Sequence, residues 1–279
     1  LQALTEPGDL IAIESPTFYA GLQASERLGL KVIEIPSHPR EGVSLAALAD
    51  ALRHHPIKAC LFMLNFANPT GSRVSDESKR ALVELLHRHQ VPLIEDDVYA
   101  ELYFGREAPL CSKAMDADGL VLHVSSFSKC LAPGYRVGWV AAGRFANEVQ
   151  RQKYSTSLAT AVPLQIALAD YLKHGGFDHH LRQLRRQLAV QEAQLVAGIE
   201  RHFPSGIRLA RPDGGYFLWL ELPPQVDTLR LPAEALANGI SIAPGPIFSA
   251  KREFQTTFGS TSATPRPLAR IRLWRRSAG

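Results

Sequence analysis

Cysteine, methionine and long apolar runs are what this 279-residue chain has least of, with three Cys and two Met. Each shortage closes off a class of protein. Cys60, Cys111 and Cys130 are odd in number and share no metal-finger spacing, so neither a disulfide framework nor a bound metal is expected, and a reducing compartment fits. No apolar stretch reaches the roughly 18 to 20 residues that a membrane span needs. The first nine residues, LQALTEPGD, lack the basic start and apolar stretch of a secretory signal. A cytoplasmic protein without membrane contact is therefore expected. Acidic residues are absent after Glu253, where Arg266, Arg270, Arg272, Arg275 and Arg276 stand. Without those five charges the formal net of +4 becomes −1, so the basic character belongs to the tail, and the body carries no nucleic-acid footprint.

What is present is an ordinary globular composition, 46% hydrophobic and 21% charged. Short β-branched and aliphatic runs at 10–14, 31–35, 59–64, 91–95, 120–124 and 137–141 alternate with helical patterns. Such alternation predicts an α/β fold with a mostly parallel central sheet covered by helices on both faces. The clearest helix spans 76–89, with Ser75 as N-cap and Leu82, Leu85, Leu86 and His89 on one face. From about Phe177 the pattern changes to a long amphipathic helix through His202, then to short strands at 207–210, 216–222 and 240–243. This predicts a large domain at 1–175 and a smaller α+β domain at 176–279. Arg182, Arg185 and Arg186 read as a solvated face of the long helix, because acids and glutamines are interspersed with them.

Ligands of such sheets gather at the carboxyl ends of strands, and the chemistry-bearing residues fall there. Asn68-Pro69-Thr70-Gly71 follows one strand, Asp96 ends another with Tyr99 three residues on, and Ser126-Phe127-Ser128-Lys129 follows a third, with Arg136 seven residues later. Each fragment alone is an ordinary turn. Their order, with spacings of 28, 33 and 7 residues, gives them weight.

The series resembles the cofactor site of the pyridoxal phosphate (PLP) enzymes of aminotransferase fold type I. The resemblance implies that Lys129 forms a Schiff base with the cofactor aldehyde and then acts as the base at the substrate α-carbon. It implies that Asp96 pairs with the pyridine nitrogen and that Asn68 and Tyr99 hydrogen-bond the phenolate oxygen. Ser126, Ser128 and Arg136 are then phosphate donors, and Phe18, with Tyr19 as the alternative, supplies a ring over the pyridine. Ser125 to Trp139, Glu95 to Gly105 and Ala243-Pro244-Gly245-Pro246-Ile247-Phe248-Ser249 are similar, in particular, to the aminotransferase-like domain of the MocR group of GntR-type transcription regulators. In that group a winged helix-turn-helix precedes the PLP domain, so DNA would be contacted only through a domain this chain does not contain.

The resemblance runs to about residue 254 and fails at both ends. Relatives carry a phosphate-binding glycine loop just before the equivalent of Leu1, so N-terminal truncation is expected. After Phe248-Ser249 the family pattern is R-L-N-F-G, whose arginine grips the substrate carboxylate, whereas residues 256–265 read TTFGSTSATP. A coding for those ten residues taken one nucleotide out of phase gives NHLRLNFGHP. A frameshifted tail over 256–279 is expected, with Arg270 or Arg272 as the alternative carboxylate ligand. Three readings of function stand: an effector-sensing PLP domain of a MocR-type regulator, a free-standing aminotransferase of amino acids and 2-oxo acids, and an inactive fragment. The first two imply an amino acid or related amine as ligand and a homodimer when complete.

Overall fold

A computed structural model describes residues 1–226, 228–237 and 241–261. Seven strands form the first sheet: β1 (Leu10–Ser15), β2 (Lys31–His38), β3 (Gly42–Val43), β4 (Ile57–Phe62), β5 (Leu93–Asp96), β6 (Val121–Ser126) and β7 (Gly138–Ala141). Their spatial order is β3-β2-β1-β4-β5-β6-β7, with β2, β1, β4, β5 and β6 parallel and the two edge strands antiparallel. The fold class is the α/β one expected from the alternating runs.

Period-two alternation places successive β1 residues on opposite sides of the sheet. Ile11 and Ile13 pack with Leu22 of helix α1 (Tyr19–Arg27), while Ala12 faces the cluster that includes Leu48 and Leu52 of α2 (Leu45–His54) and Leu82 and Leu86 of α3 (Asp76–His89). Both faces are thus covered, which is why Ile11, Ala12 and Ile13 are buried in succession along β1. Helix α3 starts where expected, with the Ser75 side chain accepting from the Ser78 amide, acids in its first turn and Arg88 in its last. Its buried face differs from the expected one. His89 is exposed, and Lys79, fully buried, takes the place one turn before Leu82 and Val83.

Helices α4 (Ala146–Ser157) and α5 (Val162–Lys173) lead into α6 (Gly176–His202), 27 residues long. The first half of α6 buries Leu181 and Leu188 against Met63, Phe66, Tyr99 and Leu102. Its second half buries Leu195, Val196 and Ile199 against Leu218, Leu220 and Phe258 of a second sheet. Arg185 is not the solvated residue expected, because its guanidinium stacks 3.8 Å from the Tyr103 ring centre and bonds both the carbonyl and the carboxylate of Glu101.

The second sheet is antiparallel, ordered β10-β11-β9-β8, from β8 (Arg208–Leu209), β9 (Phe217–Glu221), β10 (Ala243–Pro244) and β11 (Thr257–Thr261), with α7 (Leu231–Ala237) beside it. The strand expected at 240–243 includes Ile240, outside the described residues. The atypical tail opens on a strand that pairs with both neighbours, Gly259 lying opposite Trp219 and Ala243. Residues 262–279, with their five arginines, lie outside the described residues. Among the described residues no helix is long and apolar enough to cross a membrane.

Candidate cofactor site

Four adjacent parallel strands, β1, β4, β5 and β6, deliver the site from their carboxyl ends. Phe18 follows β1, Asn68 follows β4, Asp96 ends β5, and Lys129 follows β6. Phe18, Asn68, Tyr99 and Lys129 line one cleft of about 360 Å³, closed on its other side by Tyr216, Phe217, Phe248 and Gly259–Thr261. The N-P-T-G turn carries Asn68 there because Gly71 takes φ +71 and leaves no room for a side chain: a Cβ would lie 2.9 Å from Pro212 and 3.2 Å from the Phe217 carbonyl.

Asp96 sits beside the cleft, electrostatically coupled to Lys129. Burial, reinforced by the neighbouring Asp97, pushes its carboxyl up to about 6 despite a backbone hydrogen bond from Val98 and the attraction of Lys129. Its Oδ1 is buried with no hydrogen-bond partner among the described residues. An orphaned buried carboxylate oxygen is costly and calls for a donor. A pyridine N–H is such a donor, so the residues present fit a pyridoxal ring. Glu14 accepts from the Met63 amide, and burial holds its carboxyl well above the usual carboxylate range.

Tyr99 is 2% exposed. Its hydroxyl is bonded to both Tyr216 and Asn68, and burial raises its pKa. The Tyr216 and Phe217 rings stand edge-on to it at 5.5 and 5.1 Å. Asn68 and Tyr99, expected to share one phenolate oxygen, thus already bring their polar ends together. Phe18 and Tyr19 both line the cleft with ring centres 4.8 Å apart, so the alternative between them stays open.

Ser126, Ser128 and Arg136 form a separate cluster on the same turn. The Ser128 amide donates to the Ser126 hydroxyl at 3.3 Å, and Arg136 Nη1 donates to Ser128 Oγ at 3.4 Å. Arg136 takes a left-handed backbone, φ 53, directly after a 3₁₀ turn at Pro133–Tyr135, which bends its side chain back towards Ser128. These three residues lie outside the lining of the cleft itself. Reasoning from sequence missed Tyr216, Phe217 and Phe248. Tyr216 opens a run read only as a strand, and the hydroxyl at its start was the available signal.

A family model described as aminotransferase class I and II matches residues 1–271. The chain belongs to that family. The match runs past residue 254, into the tail that departs from the R-L-N-F-G pattern. The chain is 49% identical over 263 residues to the uncharacterized HTH-type transcriptional regulator YdcR of Escherichia coli K12, covering 94% of this chain and 56% of YdcR. It is 31% identical over 257 residues to aromatic-amino-acid aminotransferase 1 of Thermococcus litoralis, covering 90% of this chain and 61% of that enzyme. The structure superposes on LysN, the α-aminoadipate aminotransferase of Thermus thermophilus complexed with N-(5'-phosphopyridoxyl)-L-leucine, with a TM-score of 0.90 at 28% identity over 98% of this chain and 71% of LysN. The chain therefore spans little more than half the length of these sequence relatives. It is an aminotransferase-like domain of fold type I, of the kind shared by HTH-type regulators and aminotransferases, and the cofactor implied by the family is PLP.

Proposed function

We propose that this chain is the effector-sensing part of a MocR-type regulator, holding PLP through Lys129 and sensing an amino acid or related amine. The observation that carries the PLP reading is the orphaned Asp96 Oδ1 beside the cleft that Lys129 lines. The regulator reading draws on the 49% identity to YdcR, an HTH-type transcriptional regulator of which this chain covers 56%, with DNA contact assigned to the helix-turn-helix part of such proteins.

When bound, PLP supplies an electron-withdrawing ring conjugated with the substrate α-carbon. Asp96 accepts the pyridine N–H and keeps that nitrogen charged. Lys129 Nζ anchors the cofactor and moves a proton at the α-carbon. Asn68 and Tyr99 donate to the phenolate oxygen, while Ser126, Ser128 and Arg136 hold the phosphate. With the division near residue 175, 1–175 is the cofactor-holding part, and the cleft is closed by Tyr216, Phe217, Phe248 and Gly259–Thr261 from the described residues of 176–279.

Exposed Tyr154, Leu158, Val162 and Ile166 on and around α4 and α5, from 57% to 70% accessible, suit burial against a second copy of the chain. The 31% identity to an aminotransferase favours the second reading, a catalytic aminotransferase of amino acids and 2-oxo acids. The test is to incubate the chain with PLP, reduce with borohydride and map the peptides. The pyridoxyl group is expected on Lys129, and labelling of other lysines alone overturns the assignment. Half-transamination of the loaded chain by amino acids then separates catalyst from sensor.

A further inference from the structure

A second polar cluster lies one residue along from Asp96, on the opposite side of the same strand. Glu95 of β5 and His123 of β6 are register partners, so their side chains leave the sheet side by side. Cys111 reaches them from the loop that precedes the 3₁₀ turn Ser112–Met115. One carboxylate oxygen of Glu95, one ring nitrogen of His123 and Cys111 Sγ all lie within 4.8 Å of one another. Local spacing hides this set, because 16 and 12 residues separate its members along the chain.

The geometry points to a binding site for a zinc-class divalent cation, with Glu95, Cys111 and His123 as its three protein ligands. A mixed thiolate, imidazole and carboxylate set suits borderline-soft Zn²⁺, and three protein ligands leave a fourth position for water. Bonds of about 2.0 to 2.3 Å around a tetrahedral ion put ligand atoms about 3.3 to 3.7 Å apart, so the set closes with a shift of roughly 1 Å.

Three features prepare it. Asp97 Oδ2 lies 2.9 Å from His123 Nε2 and fixes the ring, and Asn65 donates to the other Asp97 oxygen at 2.8 Å. A carboxylate behind a histidine is the usual outer partner of a metal-bound imidazole. The amide of Ser112, next to Cys111, donates to Glu95 Oε1 at 2.8 Å and pins the thiol's backbone to the carboxylate. The surroundings are acidic: Glu95 and Asp97 share the buried Lys79 with Asp76, 3.6 Å from its ammonium, and Lys79 is anchored at the far end on Asn65 and the Leu110 carbonyl. Cys111 and His123 are each partly exposed, which gives the ion a way in.

The test needs no PLP. Chelator-treated full chain is titrated with Co²⁺, then with Zn²⁺. One equivalent of Co²⁺ should produce a thiolate-to-cobalt absorption band that Zn²⁺ abolishes by displacement. Cys111→Ser should lose the band, and Asp97→Asn should weaken Zn²⁺ binding by about 10- to 100-fold. Where a variant misfolds, the parent decides: one equivalent of Zn²⁺ should slow iodoacetamide alkylation of Cys111, read by mass mapping, at least tenfold. Absence of a thiolate band, its survival in folded Cys111→Ser, or unchanged alkylation each overturns the site.

Discussion

Lys129 and Tyr99 meet in the cleft with the ammonium 5.8 Å from the centre of the tyrosine ring. The ring is fixed from behind by Tyr216, Phe217 and Asn68, so it offers the lysine a rigid wall rather than a mobile neighbour.

Tyr99→Phe should test that wall. Removing the hydroxyl leaves Tyr216 and Asn68 each short of a buried partner, at a cost of about 1 to 3 kcal/mol. Urea denaturation should show the loss. In PLP-loaded protein, the loss of a donor to the phenolate should raise the pH at which the visible band titrates. An unmoved band would remove Tyr99 from the cofactor's hydrogen bonds.

Asp96→Asn should divide stability from chemistry. The folded-state carboxyl titrates at about 6, above its unfolded value of 3.8. Its favourable contribution is therefore fully present below the unfolded value and is lost as pH rises through about 6. A neutral amide escapes that loss, so the cofactor-free variant should be more stable than the parent at pH 8 by about 1 to 3 kcal/mol, with the gap closing near pH 4. Half-transamination, where the parent shows it, should slow sharply, because an amide cannot keep the pyridine nitrogen charged. Thermal melts across pH 4 to 8 and single-turnover absorbance decide both halves.

Gly259→Arg should restore a carboxylate grip. In the out-of-phase reading of residues 256–265 the arginine falls on position 259, and Gly259 lines the cleft. A Cβ there meets Pro69 at 3.4 Å and Phe248 at 3.6 Å, which is ordinary packing contact. A guanidinium at this place can hold a carboxylate by two parallel hydrogen bonds. Amino-acid affinity of PLP-loaded protein, followed by absorbance titration, should rise at least tenfold, since losing such contacts costs about 2 to 5 kcal/mol. An unchanged affinity counts against the frameshift account.

Lys79→Met should destabilise the chain without touching the cleft. Its ammonium donates to Asn65 at 2.6 Å and to the Leu110 carbonyl at 2.7 Å within the buried set that holds Glu95 and Asp97. Breaking a buried charge cluster on one side costs about 3 to 5 kcal/mol. A loss under 1 kcal/mol in urea melts would show that the acids are neutral without it.

Asn68, Asp96 and Lys129 were legible in the sequence because parallel strands deliver their last residues to one edge, and those residues carry unusual chemistry after apolar runs. Tyr216 and Phe217 were not, because they approach from the second sheet, and nothing local marks which strand of one sheet faces a cleft in another. Helix α3 was readable in its bounds but not in its face. Periodicity admits either end of the stripe, and Lys79 rather than His89 is buried because Asn65 and Leu110 offer its ammonium acceptors. Arg185 escaped for the same reason: its partners, Glu101 and Tyr103, lie more than 80 residues away.

The two-core burial of α6 makes it a lever. At 1.5 Å per residue its 27 residues extend about 40 Å, with one arm seated beneath Tyr99 and the other beneath the strand that carries Gly259. A tilt of about 5° around the midpoint of a rod that long displaces each tip by nearly 2 Å. The two cores that share this helix are thereby coupled, since neither half can tilt without moving the other.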